Sequence, residues 1–275
     1  MSDESVFGIL RHGRRVWAVA SIHGEAGRLA ALHGAMADRL EAGDRLVYLG
    51  NFLGHGPDVP GVLDELLTFR REFLCLPGAE AEDIVYLRGQ QEEMWRKLLQ
   101  IQFASSPGDV LSWMLQHGIG GTLAGYRLSA DSARSAFQEG VVATSRWTRD
   151  AREALRAHPG HDELLNGIRR AAFTADRRML FVSAGVDPSR PLSEQGDTFW
   201  WGSGYFDRMD QPFDDFGLVV RGFRRSPEGR TAVVAEDARP ATPYAITLDE
   251  GCGFGGPLAA ACFAADGSRL ELLHG

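Results

Sequence analysis

The chain has 275 residues, of which 44% are hydrophobic and 24% are charged, and its formal net charge is −8. A chain of this length can bury a large core, and its composition is typical of a globular protein rather than a disordered one. The acidic balance and the lack of a basic stripe argue against a nucleic-acid partner. No apolar run approaches ~18 residues and residues 1–5 carry no secretion signal, so we expect a cytoplasmic protein without a membrane partner.

Three strand–loop–helix units occupy the first hundred residues. Each unit begins with a short apolar run, at residues 16–20, 46–49 and 84–87. A glycine-containing polar loop follows each run, and helical patterns then occur at residues 25–41, 59–73 and 92–99. Repeated units of this kind predict an α/β fold with a parallel sheet. The loops of such a sheet collect at its carboxyl edge, where ligands bind.

The second half of the chain begins with a change of pattern. Between about residues 100 and 170, apolar positions recur at helical spacing and strand signals are few, which predicts a helical insert. We place this insert within a single domain covering residues 1–275. Strand patterns then return at residues 179–182, 217–220, 244–248, 259–264 and 270–273.

The loops carry a recognisable series of motifs. The first three read Ala20-Ser21-Ile22-His23-Gly24, Gly50-Asn51-Phe52-Leu53-Gly54-His55-Gly56 and Gly89-Gln90-Gln91-Glu92. The later ones read Val182-Ser183-Ala184-Gly185, Val220-Arg221-Gly222-Phe223 and Gly251-Cys252-Gly253-Phe254-Gly255-Gly256. In this order they resemble the motifs of the calcineurin-like metallophosphatases, in particular the bacterial PPP-type serine/threonine phosphatases and the diadenosine-tetraphosphatases. The resemblance implies a four-layer α/β/β/α sandwich with a helical insert.

The same resemblance places most of the family's metal ligands on residues that hold metals poorly. In the motif GDIHG the aspartate corresponds to Ser21, and in GDxVDRG the bridging aspartate corresponds to Asn51. The asparagine of GNHE corresponds to Gln90, and the histidine of FVHAG corresponds to Ser183. The last ligand, a histidine, corresponds to Phe223, which cannot bind a metal at all.

The remaining motif positions are altered less uniformly. Gln91 occupies the place of the family's proton-donating histidine, and His55 that of its phosphate-clamping arginine. His23 is the one unaltered ligand, and we expect it to be a loop residue held by hydrogen bonds. Arg221 is either structural or a cation of the pocket. Glu92 is expected at the start of a helix, where a carboxylate is favourable.

These losses predict a protein that does not hydrolyse phosphate esters. Two-metal hydrolysis needs cations ~3.5–4 Å apart, held by carboxylates and imidazoles. We therefore expect no metal cofactor and no catalytic residue, with neutral amides satisfying one another instead. The function predicted is that of a pseudophosphatase, which binds a protein partner or a phosphorylated ligand. The candidate binding residues are His23, Asn51, His55, Gln91 and Arg221.

Other interpretations remain open. The chain is alternatively a phosphoesterase with an altered or single-metal site that holds Mn, Fe or Zn, to which His23, His55, Asp58 and Glu92 would converge. A third interpretation is that the protein is a structural remnant within a larger assembly. An apolar surface on the insert would favour a protein partner. A polar pocket uniting His55 and Arg221 would favour a phosphorylated ligand.

Overall fold

The computed structural model describes residues 6–223 and 242–275, so the polar start at residues 1–5 lies outside the described residues. The described strands are β1 (Phe7–Leu10), β2 (Arg15–Val19), β3 (Arg45–Tyr48), β4 (Ile84–Tyr86), β5 (Ala171–Thr174), β6 (Met179–Val182), β7 (Leu218–Arg221), β8 (Ala245–Thr247), β9 (Ala259–Ala264) and β10 (Arg269–His274). The described α-helices are α1 (Ala26–Ala37), α2 (Val59–Phe73), α3 (Gln90–Leu98), α4 (Pro107–Gln116), α5 (Ile119–Gly125), α6 (Ala130–Glu139), α7 (Val141–Arg156), α8 (His161–Asn166) and α9 (Thr198–Trp201). Within these ranges, no helix combines the length and the apolar character that crossing a membrane requires.

The first sheet contains the three predicted strand–loop–helix units. Its strand order is β10-β9-β2-β3-β4. The strands β2, β3 and β4 run parallel, with Val16 opposite Arg45 and Leu46 opposite Ile84. On the other side of β2, the strands β9 and β10 continue the sheet in antiparallel pairs. The predicted parallel arrangement is confirmed, and the three loops emerge at the same carboxyl edge.

The second sheet has the order β1-β5-β6-β7-β8. Its strands β1 and β5 have no clear signal in the sequence, and the strand that begins at Arg15 is therefore the second of the chain rather than the first. Each of the two has only four residues, and they pair in parallel with Phe7 opposite Ala171. A segment this short shows little periodicity, and it forms a strand because a distant segment completes its hydrogen-bond ladder.

The two sheets pack face to face around a shared core. The rings of Phe181 in β6 and Phe263 in β9 lie 6.4 Å apart across it. Helices α1 and α2 cover the outer face of the first sheet, where His33 Nε2 and the Tyr48 hydroxyl are hydrogen-bonded at 2.8 Å. On the second sheet the outer layer consists of α9 and short 3₁₀ turns, including the one that carries Phe206. The expected two-sheet sandwich is confirmed, although within residues 6–223 and 242–275 this outer layer is made of single turns rather than long helices.

Five helices, α4 to α8, occupy the predicted helical insert. Helix α5 docks directly on the loop that follows β3. The backbone N–H of Gly54 donates a hydrogen bond to Thr122 Oγ1 at 3.0 Å. A Cβ atom added to Gly121 would lie only 1.8 Å from the carbonyl oxygen of Gly54. The two segments are therefore in backbone contact, and only glycine fits between them.

We predict that Gly121→Ala destabilises the protein, because its methyl group must displace the Gly54 loop. Overpacking of this kind costs about 1–3 kcal/mol, more than the gain in helix propensity from glycine to alanine. The matched control is Gly120→Ala in the same helix, where an added Cβ meets only Leu115 at 3.9 Å. Urea unfolding of both variants would check this. A Gly121→Ala protein as stable as Gly120→Ala would contradict the docking.

Candidate functional site

The three polar loops converge on Asn51. Its backbone carbonyl accepts hydrogen bonds from the N–H groups of Ile22 at 3.1 Å and His23 at 2.7 Å, both in the first loop. Its side-chain Oδ1 accepts one from the N–H of Gln91, in the third loop, at 3.1 Å. Asn51 has a positive φ of 54°, which asparagine adopts more readily than most residues. This one residue therefore joins all three loops.

The amide of Asn51 is fully hydrogen-bonded within the protein. While Oδ1 accepts from Gln91, Nδ2 donates to Ser21 Oγ at 3.0 Å. Ser21 and Asn51 occupy the two positions at which the resemblance expects metal-binding aspartates, and both are buried. The expectation that neutral groups satisfy one another is confirmed for this pair.

Glu92 is a structural carboxylate rather than a ligand. It lies in the first turn of α3, as expected, and is 2% exposed. Its Oε2 accepts from the N–H groups of Asn51 at 2.9 Å and Gly89 at 2.8 Å, and its Oε1 from that of Leu53 at 3.0 Å. Burial raises the pKa of Glu92, and the three backbone donors partly oppose that shift. Its oxygens are committed to holding the second loop against the third.

His23 occupies an aromatic cage. Its ring packs edge-on against His55 at 5.4 Å and against Phe223 and Phe254 at 5.3 Å each, measured between ring centroids. Within the described residues, neither ring nitrogen has a hydrogen-bond partner, so the expected hydrogen-bonded histidine is wrong. Aromatic edges replace polar partners because Phe223 and Phe254 surround the ring. Burial, followed by the proximity of His55, lowers the pKa of His23 to about 3, which keeps the ring neutral.

His55 and Gln91 form the mouth of the site. His55 is exposed, and its ring lies 4.4 Å from that of Phe254. Its Nε2 is 3.4 Å from Gln91 Nε2, which also donates to the carbonyl of His117 at 2.8 Å. Partial burial lowers the pKa of His55, with His117 as the second cause. The amide of Gln91 thereby joins the second loop to the insert.

Arg221 is committed to a different part of the molecule. Its Nε donates to Thr247 Oγ1 at 2.8 Å, and its guanidinium forms an ion pair with Asp207. The guanidinium carbon also lies 4.2 Å from the centre of the Phe206 ring. These contacts bind it to the outer layer of the second sheet and favour its structural interpretation. Binding of an anion by Arg221 would have to compete with Asp207.

The remaining predicted positions are buried. Gln90 begins α3, and Ser183 follows β6 with its carbonyl accepting from the N–H of Phe223 at 2.9 Å. The hydroxyl of Ser183 and the Oε1 of Gln91 have no hydrogen-bond partner within the described residues. Sequence reasoning did not assign Phe254 and His117 to the site. Phe254 lies in a glycine-rich hairpin that signals a turn, but its ring contacts depend on the folded chain.

The pair of metal ions implied by the resemblance does not fit this set of residues. The donor atoms at the ligand positions are neutral, and those of Asn51 are already used internally. Phe223 fills the place of a ligand, and Glu92 is occupied by backbone donors. Asp58 caps α2 through the N–H of Gly61 at 2.9 Å. In the described part of the chain, the side chains that group as possible metal ligands include none of His23, His55, Asp58 and Glu92, so the alternative in which these four converge on one ion is wrong.

Known proteins resemble this chain in structure rather than in sequence. No known family profile matches the chain, and no curated protein matches it either. A solved structure of a protein assigned as a diadenosine tetraphosphatase is similar over 98% of both chains, with 18% identity and a TM-score of 0.56. A cold-active protein-tyrosine phosphatase of a psychrophilic Shewanella is similar over 99% of this chain and 85% of its own, with 12% identity and a TM-score of 0.53.

The architecture is therefore the calcineurin-like fold of the metallophosphoesterases, as the series of motifs predicts. At these identities the likeness establishes the fold, and the activity has to be argued from the site itself.

We predict that His23 makes folding less favourable below pH 6.5. The folded pKa of about 3 lies below the value near 6.5 in the unfolded chain, so only the unfolded chain binds the proton between these values. The contribution of His23 to the free energy of unfolding is complete above pH 6.5. It decreases by up to roughly 1.4 kcal/mol per pH unit as the pH falls.

The measurement is urea unfolding between pH 7 and pH 5 for the wild type and for His23→Asn. Asparagine tolerates the φ of 53° at this position and does not titrate in this range. His33 and His161, whose pKa values burial also lowers, contribute to both curves and cancel in the difference. Parallel curves for the two proteins would contradict the prediction.

Proposed function

We propose that this protein is a pseudophosphatase, a catalytically inactive relative of the metallophosphatases that acts by binding a protein partner. The observation that carries the first half is the amide of Asn51 at the position of the bridging carboxylate. It is already hydrogen-bonded to Ser21 and to the backbone of Gln91. An anionic oxygen shared by two cations is the part of the chemistry that a neutral amide replaces least well.

The acid of the reaction is also missing. A leaving group needs a proton from a titrating side chain placed next to it. Gln91 occupies that position and does not titrate, and its side-chain N–H donates to the carbonyl of His117. The position of the family's acid is therefore held by a side chain that cannot donate a proton to a leaving group.

The surface of the insert supports a protein partner. In the described residues, seven large apolar side chains are exposed, and four of them lie on the insert: Phe103, Trp113, Val141 and Val142. Val141 and Val142 are 69% and 75% exposed at the start of α7. These two adjacent valines expose a contiguous apolar pair, which favours a binding surface at this end of the insert. A phosphorylated ligand is less favoured, because Arg221 is paired with Asp207 rather than directed to His55.

A phosphoesterase with a single metal is the second candidate. The observation in its favour is His23, whose two ring nitrogens are buried without partners in the described residues. A ligand set for one Mn, Fe or Zn ion would need further donors near this ring. Within the described residues, His55 lies beside this ring, with centroids 5.4 Å apart. The Oε1 of Gln91 and the hydroxyl of Ser183 also lack partners, but both are weak neutral ligands.

The hydrolysis of para-nitrophenyl phosphate in the presence of Mn²⁺ tests the first half of the proposal. We expect the wild type and His23→Ala to give the same rate as buffer with Mn²⁺ alone. Turnover by the wild type that requires Mn²⁺ and is lost in His23→Ala would overturn the proposal in favour of the single-metal enzyme.

Affinity capture from a lysate of the source organism tests the second half. We expect proteins bound by the wild type to be lost from the double variant Val141→Ser/Val142→Ser. The matched control is Leu270→Ser, which removes a side chain that is 57% exposed on β10, away from the insert. Capture that is equal for the wild type and both variants would refute partner binding through this end of the insert.

A further inference from the structure

Three ligand-type side chains meet at the far end of the insert. Asp64 lies on α2, and His158 and His161 lie in and after the turn that joins α7 to α8. Within the described residues, this is the group of His, Cys, Asp and Glu side chains whose ligand atoms come together, all lying within 4.8 Å of one another. None of the three belongs to the loops around Asn51.

The turn between the two helices aligns the histidines. It reads His158-Pro159-Gly160-His161, and the N–H of His161 donates to the carbonyl of His158 at 3.3 Å. Gly160 has a φ of 86°, and a Cβ there would lie 2.8 Å from a methyl group of Leu67 in α2. The turn is thus pressed against α2 at a point where only glycine fits. As a result, the imidazole rings lie side by side, with centroids 5.0 Å apart and planes 18° apart.

The distances suit a common metal ion. His161 Nε2 and Asp64 Oδ1 are 3.1 Å apart. Two ligand atoms at about 2.0–2.1 Å from a tetrahedral ion lie roughly 3.3 Å apart, and two imidazoles bound to it have centroids roughly 5 Å apart. The observed values agree with both, so only small side-chain movements separate this arrangement from a coordinated one.

Tyr126 holds the buried histidine in the required orientation. Its hydroxyl is hydrogen-bonded to His161 Nδ1 at 2.8 Å, and its ring packs edge-on against both imidazoles. Metal-binding histidines commonly donate their other N–H to an oxygen, which fixes the tautomer and exposes the ligating nitrogen. Without an ion, Nε2 donates a hydrogen bond to Asp64 Oδ1. With an ion bound, the Tyr126 hydroxyl would accept from Nδ1 and the lone pair of Nε2 would face the ion. His161 itself is fully buried, while 62% of the side chain of Asp64 is exposed, which gives an ion access from solvent.

We propose that Asp64, His158 and His161 bind one divalent transition-metal ion, with Zn²⁺ as the preferred cation. Two imidazoles and one carboxylate are donors that zinc favours, and three protein ligands leave a fourth position for water or a solute. The bound ion would tie the last turn of the insert to α2. The site also adjoins a groove of about 840 Å³, whose lining includes Leu67 and Gly160.

Zinc titration of tag-free protein by calorimetry tests this proposal. We expect the wild type to bind one ion per chain, and Asp64→Asn and His158→Gln to weaken binding by at least about tenfold. Both substitutions spare the buried His161 and so keep the fold. His12→Gln, at an exposed histidine outside the cluster, and His23→Gln are expected to bind zinc as the wild type does.

Two further measurements identify the ligands. Co²⁺ in place of zinc should give the intense visible bands of a four-coordinate ion in the wild type and not in Asp64→Asn. Zinc at a hundred times its dissociation constant should raise the melting temperature of the wild type by roughly 5 °C or more. The melting temperature of Asp64→Asn should not change.

The proposal is overturned if the wild type binds no zinc, if Asp64→Asn and His158→Gln bind it as tightly as the wild type, or if His23→Gln abolishes binding. These outcomes are separate from those of the phosphatase assay, which depends on His23 and Mn²⁺ and not on Asp64.

Discussion

The convergence of three loops on Asn51 is the constraint on which the rest of the site depends. Its carbonyl accepts from the first loop, its side chain bonds to Ser21 and to the third loop, and its own N–H is held by Glu92. A buried polar group costs free energy unless it is paired, so this network keeps the loop edge closed. In a metallophosphatase, cations would hold the corresponding loops together by attracting carboxylates. Here hydrogen bonds between neutral groups and the backbone connect the loops, and the carboxyl group of Glu92 contributes as an acceptor.

The neighbours of His23 determine the electrostatic character of the site. The surroundings of His23 are largely apolar, because Phe223 and Phe254 cover its ring. Burial then keeps the imidazole neutral, because a protonated ring would have no counter-charge among its contacts. The fold retains the geometry of a phosphoesterase edge, while the residues at that edge favour packing over the stabilisation of a negatively charged transition state.

The helical insert contacts the sandwich at several places, two of which involve the loop after β3 and the helix that follows it. Near its middle, Gly121 and Thr122 contact the backbone of Gly54, close to Asn51. At its end, His161 meets Asp64 of α2, the helix that leaves the same loop. A metal ion at the second place would therefore influence how firmly the insert is held over the loop edge. This arrangement connects the proposed binding surface on the insert, the loops around Asn51 and the proposed zinc site through α2 and the loop before it.

The sequence by itself determined the α/β class, the three parallel units and the bounds of α2, because periodicity is a local property of the chain. Only the tertiary structure decided the rest. The strands β1 and β5 exist because they pair with each other, and Glu92 is an acceptor because three backbone N–H groups of two loops surround it. The cage around His23 depends on Phe254, and the cluster at His161 depends on Asp64. Contacts between residues so far apart in the chain are set by packing, which no short pattern of residues encodes.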